Sequence, residues 1–403
     1  MNLLFEERET FSTIRDGIHT AFLVFATEIT TATYVPFNDM FLQGGVVHRV
    51  QYVDIGNLGL RHLIMKQGAG QSCSAPGVRL HWAQRTYMSI GLHTIKKTLI
   101  WIKNECIRPY YALRMSPGVW KRLNRAPIQA YARHRAKASP LTEEQARVIR
   151  ELDEKGVAVT SLEGLGFPSD LLGRLQTYTE QIRPQATLNK KKTFWLKLWD
   201  TIPALDLDNP FVPVCLAPGI LDVVNGYVGQ FSKFFYYSLH VTLPVTAGEE
   251  PRNSQNWHRD PEDKKMCKFF IYLNDVDETS GPFMYVQKSN IGGRWRDLYP
   301  QRPPAGSYPP IGGVDAVVPK EDILVCTGKA GTVIFADTSG FHKGGYATAK
   351  ERIMFMAGYI TKASPRGVFY TYGPGCSEAL AQMDEPARFA AMGHRIDPTG
   401  EMY

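Results

Sequence analysis

The chain lacks the features that would place it in several broad classes. Its six cysteines, at 73, 106, 215, 267, 326 and 376, include no CxxC pair. That excludes a zinc-ribbon framework and the dense cysteine pattern of a small secreted domain, so reduced thiols in a cytoplasmic compartment are expected. No apolar run approaches the roughly 20 residues needed to cross a bilayer. The most apolar N-terminal stretch, Ala21 to Ala26, gives way at Thr27 and Glu28. The opening residues carry Glu6, Glu7 and Glu9 where a signal peptide would be basic. There is no internal repeat. With 44% hydrophobic and 21% charged residues among 403, disorder throughout is also excluded.

Acidic residues are almost missing from one segment. Between Met88 and Pro140 eleven Lys and Arg face the single acid Glu105, a balance of +10 that exceeds the net +7 of the whole chain. Met1 to Tyr87 is neutral, and Leu141 to Tyr403 is slightly acidic, with 28 basic and 31 acidic residues. Three zones follow. Residues 1–87 show no sustained period and a Gly/Ser cluster, and are expected to be an unassigned, poorly structured extension. Residues 88–140 are expected to form a basic helical segment, with Ile95, Leu99, Ile102 and Cys106 at helix spacing. Two readings of it stay open: a solvated helix packed on the main domain, or peripheral contact with an anionic surface. A nucleic-acid partner would rest on this segment alone and is not favoured.

Residues 141–403 carry the organised part. Thr142 reads as a helix N-cap followed by acids, the helix running through Leu152 to a stop at Gly156. A second helix is predicted from Val212 to Val228. Strands are predicted at Val157–Val159, Lys233–Leu243, Met266–Leu273, Phe283–Val286, Ile323–Val325, Thr332–Phe335 and Ile353–Ile360. Many short strands after a helical start predict a mainly β fold, a sandwich or barrel with flanking helices.

One constellation supports a chemical reading. His258 and Asp260 are two apart and project to one side of an extended segment, and His342 follows the predicted strand at Thr332. Two imidazoles and a carboxylate on one face of an octahedral ion leave three open positions, the arrangement of non-haem iron(II) oxygenases. Arg352, ten residues after His342, can grip a carboxylate with two parallel hydrogen bonds. An HxD alone is weak; the order HxD, strand, His, Arg inside an all-β stretch is what persuades.

The stretches Gln255–Asp263, Lys268–Asp277, Gly281–Phe283 and Gly331–Tyr346, ending at Arg352, resemble the phytanoyl-CoA dioxygenase-like family of Fe(II)/2-oxoglutarate-dependent oxygenases. The resemblance covers roughly Leu141 to Ser364. It implies a double-stranded β-helix (a cupin-like jelly roll) and a small-molecule substrate. It also implies Fe(II), 2-oxoglutarate and O2, with His258, Asp260 and His342 as metal ligands and Arg352 as the co-substrate anchor. Asn256 is either a further co-substrate contact or the cap of a turn. Asp260 stands where related halogenases have a small residue, which favours hydroxylation of a C–H bond with release of succinate and CO2. The rival reading is a non-catalytic jelly roll docked through its basic segment. His240 is expected in the core or beside the site; Trp195, Lys197 and Trp199 line a substrate mouth or a packed strand. The insertion Ser289 to Val317, with Arg294, Trp295, Arg296 and Tyr299, is placed for a mobile lid.

Overall fold

The structure is a computed structural model that describes residues 98–189, 192–199 and 203–392, together with the backbone of four short strands nearer the N-terminus. The chain divides into two compact units, Met1–Leu92 and His93–Tyr403. In the first, β1 (Phe41–Gln43) pairs antiparallel with β2 (Val46–His48), and β3 (Gln51–Asp54) with β4 (Arg61–Ile64). The rest of the expected extension over residues 1–87 lies outside the described residues.

The second unit begins with three helices: α1 (residues 98–115), α2 (Pro117–Leu123) and α3 (Arg125–Arg135). Their basic character does not keep them in solvent. Arg114 donates from Nε to the Ala363 carbonyl (2.7 Å), and Asn124 Oδ1 accepts from the Ala363 amide (2.9 Å). Trp120 Nε1 donates to Asp263 (3.3 Å). Ile100, Trp101 and Leu113 on α1 stay exposed.

Helix α4 (Glu143–Lys155) starts where the cap signal says it should. The Thr142 hydroxyl accepts from the Gln145 amide, and the Gln145 side chain accepts from the Thr142 amide, a reciprocal capping box. It stops at Gly156, whose φ of 82° places it in the left-handed region that closes helices. Helix α5 (Leu171–Ile182) was not anticipated. The single helix expected over Val212–Val228 is two: α6 (Phe211–Leu216) and α7 (Pro218–Val228). Pro218 is the cause. Its ring forces Ala217 into an extended conformation (φ −70°, ψ 146°), while its own fixed φ suits the first position of a new helix.

The strands are β5 (Val157–Ser161), β6 (Thr187–Leu188), β7 (Trp195–Lys197), β8 (Ala204–Leu205), β9 (Lys233–Thr242), β10 (Cys267–Tyr272), β11 (Phe283–Val286), β12 (Ile323–Cys326), β13 (Thr332–Ala336), β14 (His342–Lys343), β15 (Arg352–Ile360) and β16 (Thr371–Tyr372). The large sheet runs β5-β13-β10-β15-β9-β7-β6, with neighbouring strands antiparallel. The small sheet runs β12-β11-β14, and His258 bridges His342 to extend it by one segment. Counting β9, the His258 segment, β10, β11, β12, β13, β14 and β15 as one to eight, the large sheet holds six-three-eight-one. The small sheet holds five-four-seven-two. Consecutive strands alternate between the two sheets except at the four–five pair, β11 and β12, which lie side by side in the small sheet; this is the jelly-roll wrapping.

Alternation along the strands gives the large sheet two unlike faces. Phe269, Ile271, Phe355, Ala357, Leu239 and Val241 join the core formed with α4 to α7 and the C-terminal helix α9 (Glu385–Met392), which follows α8 (Cys376–Ala381). Phe270, Tyr272, Ile334 and Met354 point the other way and pack with Phe283 and Tyr285 of the small sheet. The site lies between the sheets. No helix among the described residues is long and apolar enough to cross a membrane, and Cys106, Cys215, Cys267, Cys326 and Cys376 are free thiols.

Candidate metal centre and co-substrate cavity

A short 3-10 turn, Asn253–Gln255, delivers the chain into the extended segment that carries His258. Its exit is held by hydrogen bonds on both sides: Gln255 Nε2 to the Gly345 carbonyl (2.8 Å), the His258 amide to the His342 carbonyl (3.0 Å) and the Asp260 amide to Thr338 (2.9 Å). Alternation then sends Trp257 and Arg259 away from the cavity and His258 and Asp260 into it. Arg259 is buried; its guanidinium lies 3.7 Å over the Phe341 ring and donates to the carbonyls of Ser289, Ser339, Trp295, Arg296, Leu298 and Tyr299. A side chain so fully engaged locks the segment.

His258, Asp260 and His342 each present a ligand atom, all within 4.8 Å of one another. His258 Nε2 lies 3.9 Å from Asp260 Oδ1, and His342 Nε2 lies 3.4 Å from Asp260 Oδ2. Metal–ligand bonds of about 2.1 Å put neighbouring ligands about 3 Å apart, so each histidine–aspartate separation needs to close by less than about 1 Å to hold an ion. The far side of each ring is already settled. His258 Nδ1 donates to the Asn256 carbonyl (2.9 Å) and His342 Nδ1 to the Gly340 carbonyl (3.1 Å), which leaves both Nε2 lone pairs for a metal. Burial, reinforced by the neighbouring His342, lowers the His258 pKa to about 3, so its imidazole is neutral and ready to ligate. Burial would raise the Asp260 pKa, but Lys268 and the two imidazoles outweigh it and hold the carboxyl well below its ordinary value.

Arg352 heads β15 and lines the same cavity, buried to 1% exposure. Its Nη2 donates to Thr242 Oγ1 (3.3 Å), while Nε and Nη1 have no hydrogen-bond partner. Such donors call for an acceptor from outside the chain. The cavity encloses about 410 Å³ and takes in Trp195, Lys197 and Trp199, the open question at the substrate mouth. His240 is fully buried and stacks on Trp195 at 4.0 Å. Burial, then the positive charges of Arg352 and Lys192, push its pKa well below the ordinary value.

Two expectations change. Asn256 is not among the cavity-lining residues; its side-chain amide donates to the Pro251 carbonyl (2.9 Å), and it terminates the 3-10 turn. The insertion Ser289 to Val317 is pinned, not loose: its carbonyls receive Arg259, and Gln301 donates to the Asp260 and Asp263 carbonyls. None of Arg294, Trp295, Arg296 and Tyr299 lines the cavity, whereas Tyr308 of the same insertion stacks on His258 at 5.2 Å.

The sequence reading missed Lys268, which lies in the cavity wall with Nζ 2.5 Å from Asp260 Oδ2. Its signal was a lone lysine at an inward position of an otherwise apolar strand. Lys192 was missed too; its ammonium sits 3.9 Å over the Trp195 ring, and burial lowers its pKa to about 8 against the pull of Asp260.

No family model matches the chain, and no curated protein is similar to it. Among solved structures it is similar to the non-haem α-ketoglutarate-dependent epimerase SnoN from nogalamycin biosynthesis (13% identity, 54% of this chain and 83% of that one, TM-score 0.40). It is also similar to HygX from Streptomyces hygroscopicus with nickel and 2-oxoglutarate bound (14%, 58% and 98%, TM-score 0.40). A third is EctD from S. alaskensis with bound Fe (18%, 60% and 86%, TM-score 0.39).

Proposed function

We propose that the protein is an Fe(II)/2-oxoglutarate-dependent dioxygenase that hydroxylates a C–H bond of a small or lipid-like molecule. One observation carries this reading: a two-histidine, one-carboxylate cluster shares a cavity with a buried guanidinium that has two nitrogens without a partner. A ferrous ion and 2-oxoglutarate, when bound, supply the oxidising power: 2-oxoglutarate and O2 become succinate and CO2, and R–H becomes R–OH.

The chain's own contribution is placement. His258, Asp260 and His342 would hold the ion on one face and leave three positions open. Arg352 would take the distal carboxylate of 2-oxoglutarate, with Thr242 steadying the guanidinium. Asn256 contributes through its main chain, by fixing the His258 ring. Trp195, Trp199, Tyr236, Phe270, Met356 and Phe369 give the cavity an apolar wall that excludes water and suits an apolar substrate body. The resemblance to the phytanoyl-CoA dioxygenase-like family points the same way through the motifs around His258 and His342.

The test is turnover of 2-oxoglutarate. Protein supplied with iron(II), ascorbate and oxygen should release succinate, with or without a coupled substrate, and His258→Ala should not. Equal succinate from both would end the proposal.

A further inference from the structure

The two oxygens of Asp260 are placed alike. Oδ1 faces His258 Nε2 at 3.9 Å and Oδ2 faces His342 Nε2 at 3.4 Å. A carboxylate so disposed could clamp a metal with both oxygens, which would use one of the positions a chelating co-substrate and dioxygen need. What breaks the symmetry is Lys268, whose ammonium lies 2.5 Å from Oδ2 and makes no such contact with Oδ1.

The lysine is held in place by the fold. It is the first inward residue of β10, 7% exposed, opposite Ala336 on one side and Gly358 on the other. The bare Gly358 backbone admits the Tyr236 ring: a Cβ there would meet Tyr236 Cε1 at 2.4 Å. That ring in turn lies 5.0 Å from the Lys268 ammonium. A buried cation beside a metal ligand also repels an incoming dication, so it opposes metal binding at the same time as it shapes the site.

We propose, resting on the metal-centre reading above, that Lys268 is a positioning residue: it occupies one oxygen of Asp260, leaves the other to the metal, and so preserves an open coordination position for the co-substrate while weakening metal affinity. Two effects of opposite sign follow, and loss of fold produces neither pattern. In Lys268→Met, Co(II) should bind about tenfold more tightly, because the competing charge is gone. 2-Oxoglutarate should bind the Co(II)-loaded protein about tenfold more weakly, because the freed carboxylate closes on the metal. Lys268→Gln keeps an N–H donor without the charge. It should show the tighter Co(II) binding with 2-oxoglutarate affinity near wild type.

Titration calorimetry of Co(II), then of 2-oxoglutarate, on full-length protein reads both effects, with the visible Co(II) spectrum reporting coordination number. Opposite shifts in Lys268→Met, with 2-oxoglutarate binding restored in Lys268→Gln, support the proposal. Shifts of the same sign, no shift in either, or no restoration overturn it. If wild type binds Co(II) no better than His258→Ala, the metal-centre reading itself fails; if wild type binds and the lysine variants do not split, only the role of Lys268 falls.

Discussion

The two faces of the large sheet are built from the same strands and do opposite things. On β15, Phe355, Ala357 and Tyr359 face the helices and belong to one continuous apolar core. Arg352, Met354 and Met356, their immediate neighbours, line the cavity. On β10 the pairing is Phe269 and Ile271 against Lys268 and Phe270. The outer face gains stability from burial and shape. The inner face holds cations and half-partnered donors, which a protein keeps buried only where something else will use them. One residue of register decides which role a side chain has.

That contrast can be broken experimentally, and the largest effect is expected from the outer face. Phe355 is fully buried and stacked on Phe211 at 4.6 Å. Phe355→Ala should cost about 3–5 kcal/mol of unfolding free energy, read by chemical denaturation. A loss under about 1 kcal/mol would mean that this face is not the load-carrying core.

The inner face should respond in binding and not in stability. Arg352→Met should weaken 2-oxoglutarate binding by about 3 kcal/mol, roughly a hundredfold, through loss of charge-assisted hydrogen bonds. Unfolding free energy should hold or rise, because a buried guanidinium with two unpartnered nitrogens is gone. Calorimetry of the metal-loaded protein measures the first and denaturation of the metal-free protein the second; a variant that only unfolds would contradict the contrast.

The smallest effect concerns pH. His240 is neutral in the folded protein, held there by burial and by Arg352 and Lys192, while the unfolded chain binds a proton near 6.5. Its folded pKa lies below its unfolded one, so stability is retained above about pH 6.5 and falls as the pH drops further. The fall should be about 1.4 kcal/mol per pH unit from this residue alone. His240→Gln should flatten the slope between pH 6.5 and 5; an unchanged slope would show that His240 is protonated in the fold.

Much of the architecture was legible along the chain. The cap at Thr142 and the stop at Gly156 bound α4 as expected, because a cap is a short-range hydrogen-bond problem solved by adjacent residues. Strands β9 to β13 and β15 fell within one or two residues of their predicted ends. The Val212–Val228 helix was misjudged although its breaker, Pro218, was in view; apolar spacing continued across the break and masked it. The edge strand β6 escaped because so short a stretch carries no measurable period, while β7 falls where a packed strand was one of two readings.

By itself, the sequence determined the order of chemical groups: HxD, then His, then Arg, on strands whose alternation says which side chains share a face. It also determined that a carboxylate, Asp260, stands two residues from His258. Only the tertiary structure decided that these groups meet in one cavity, that Arg352 keeps two donors free, that Asn256 turns to Pro251, and that Lys268 reaches Asp260. The reason is range. Caps and alternation depend on neighbours a few residues away, whereas a cavity is assembled by cross-strand register, and register is chosen by the packing of the whole barrel.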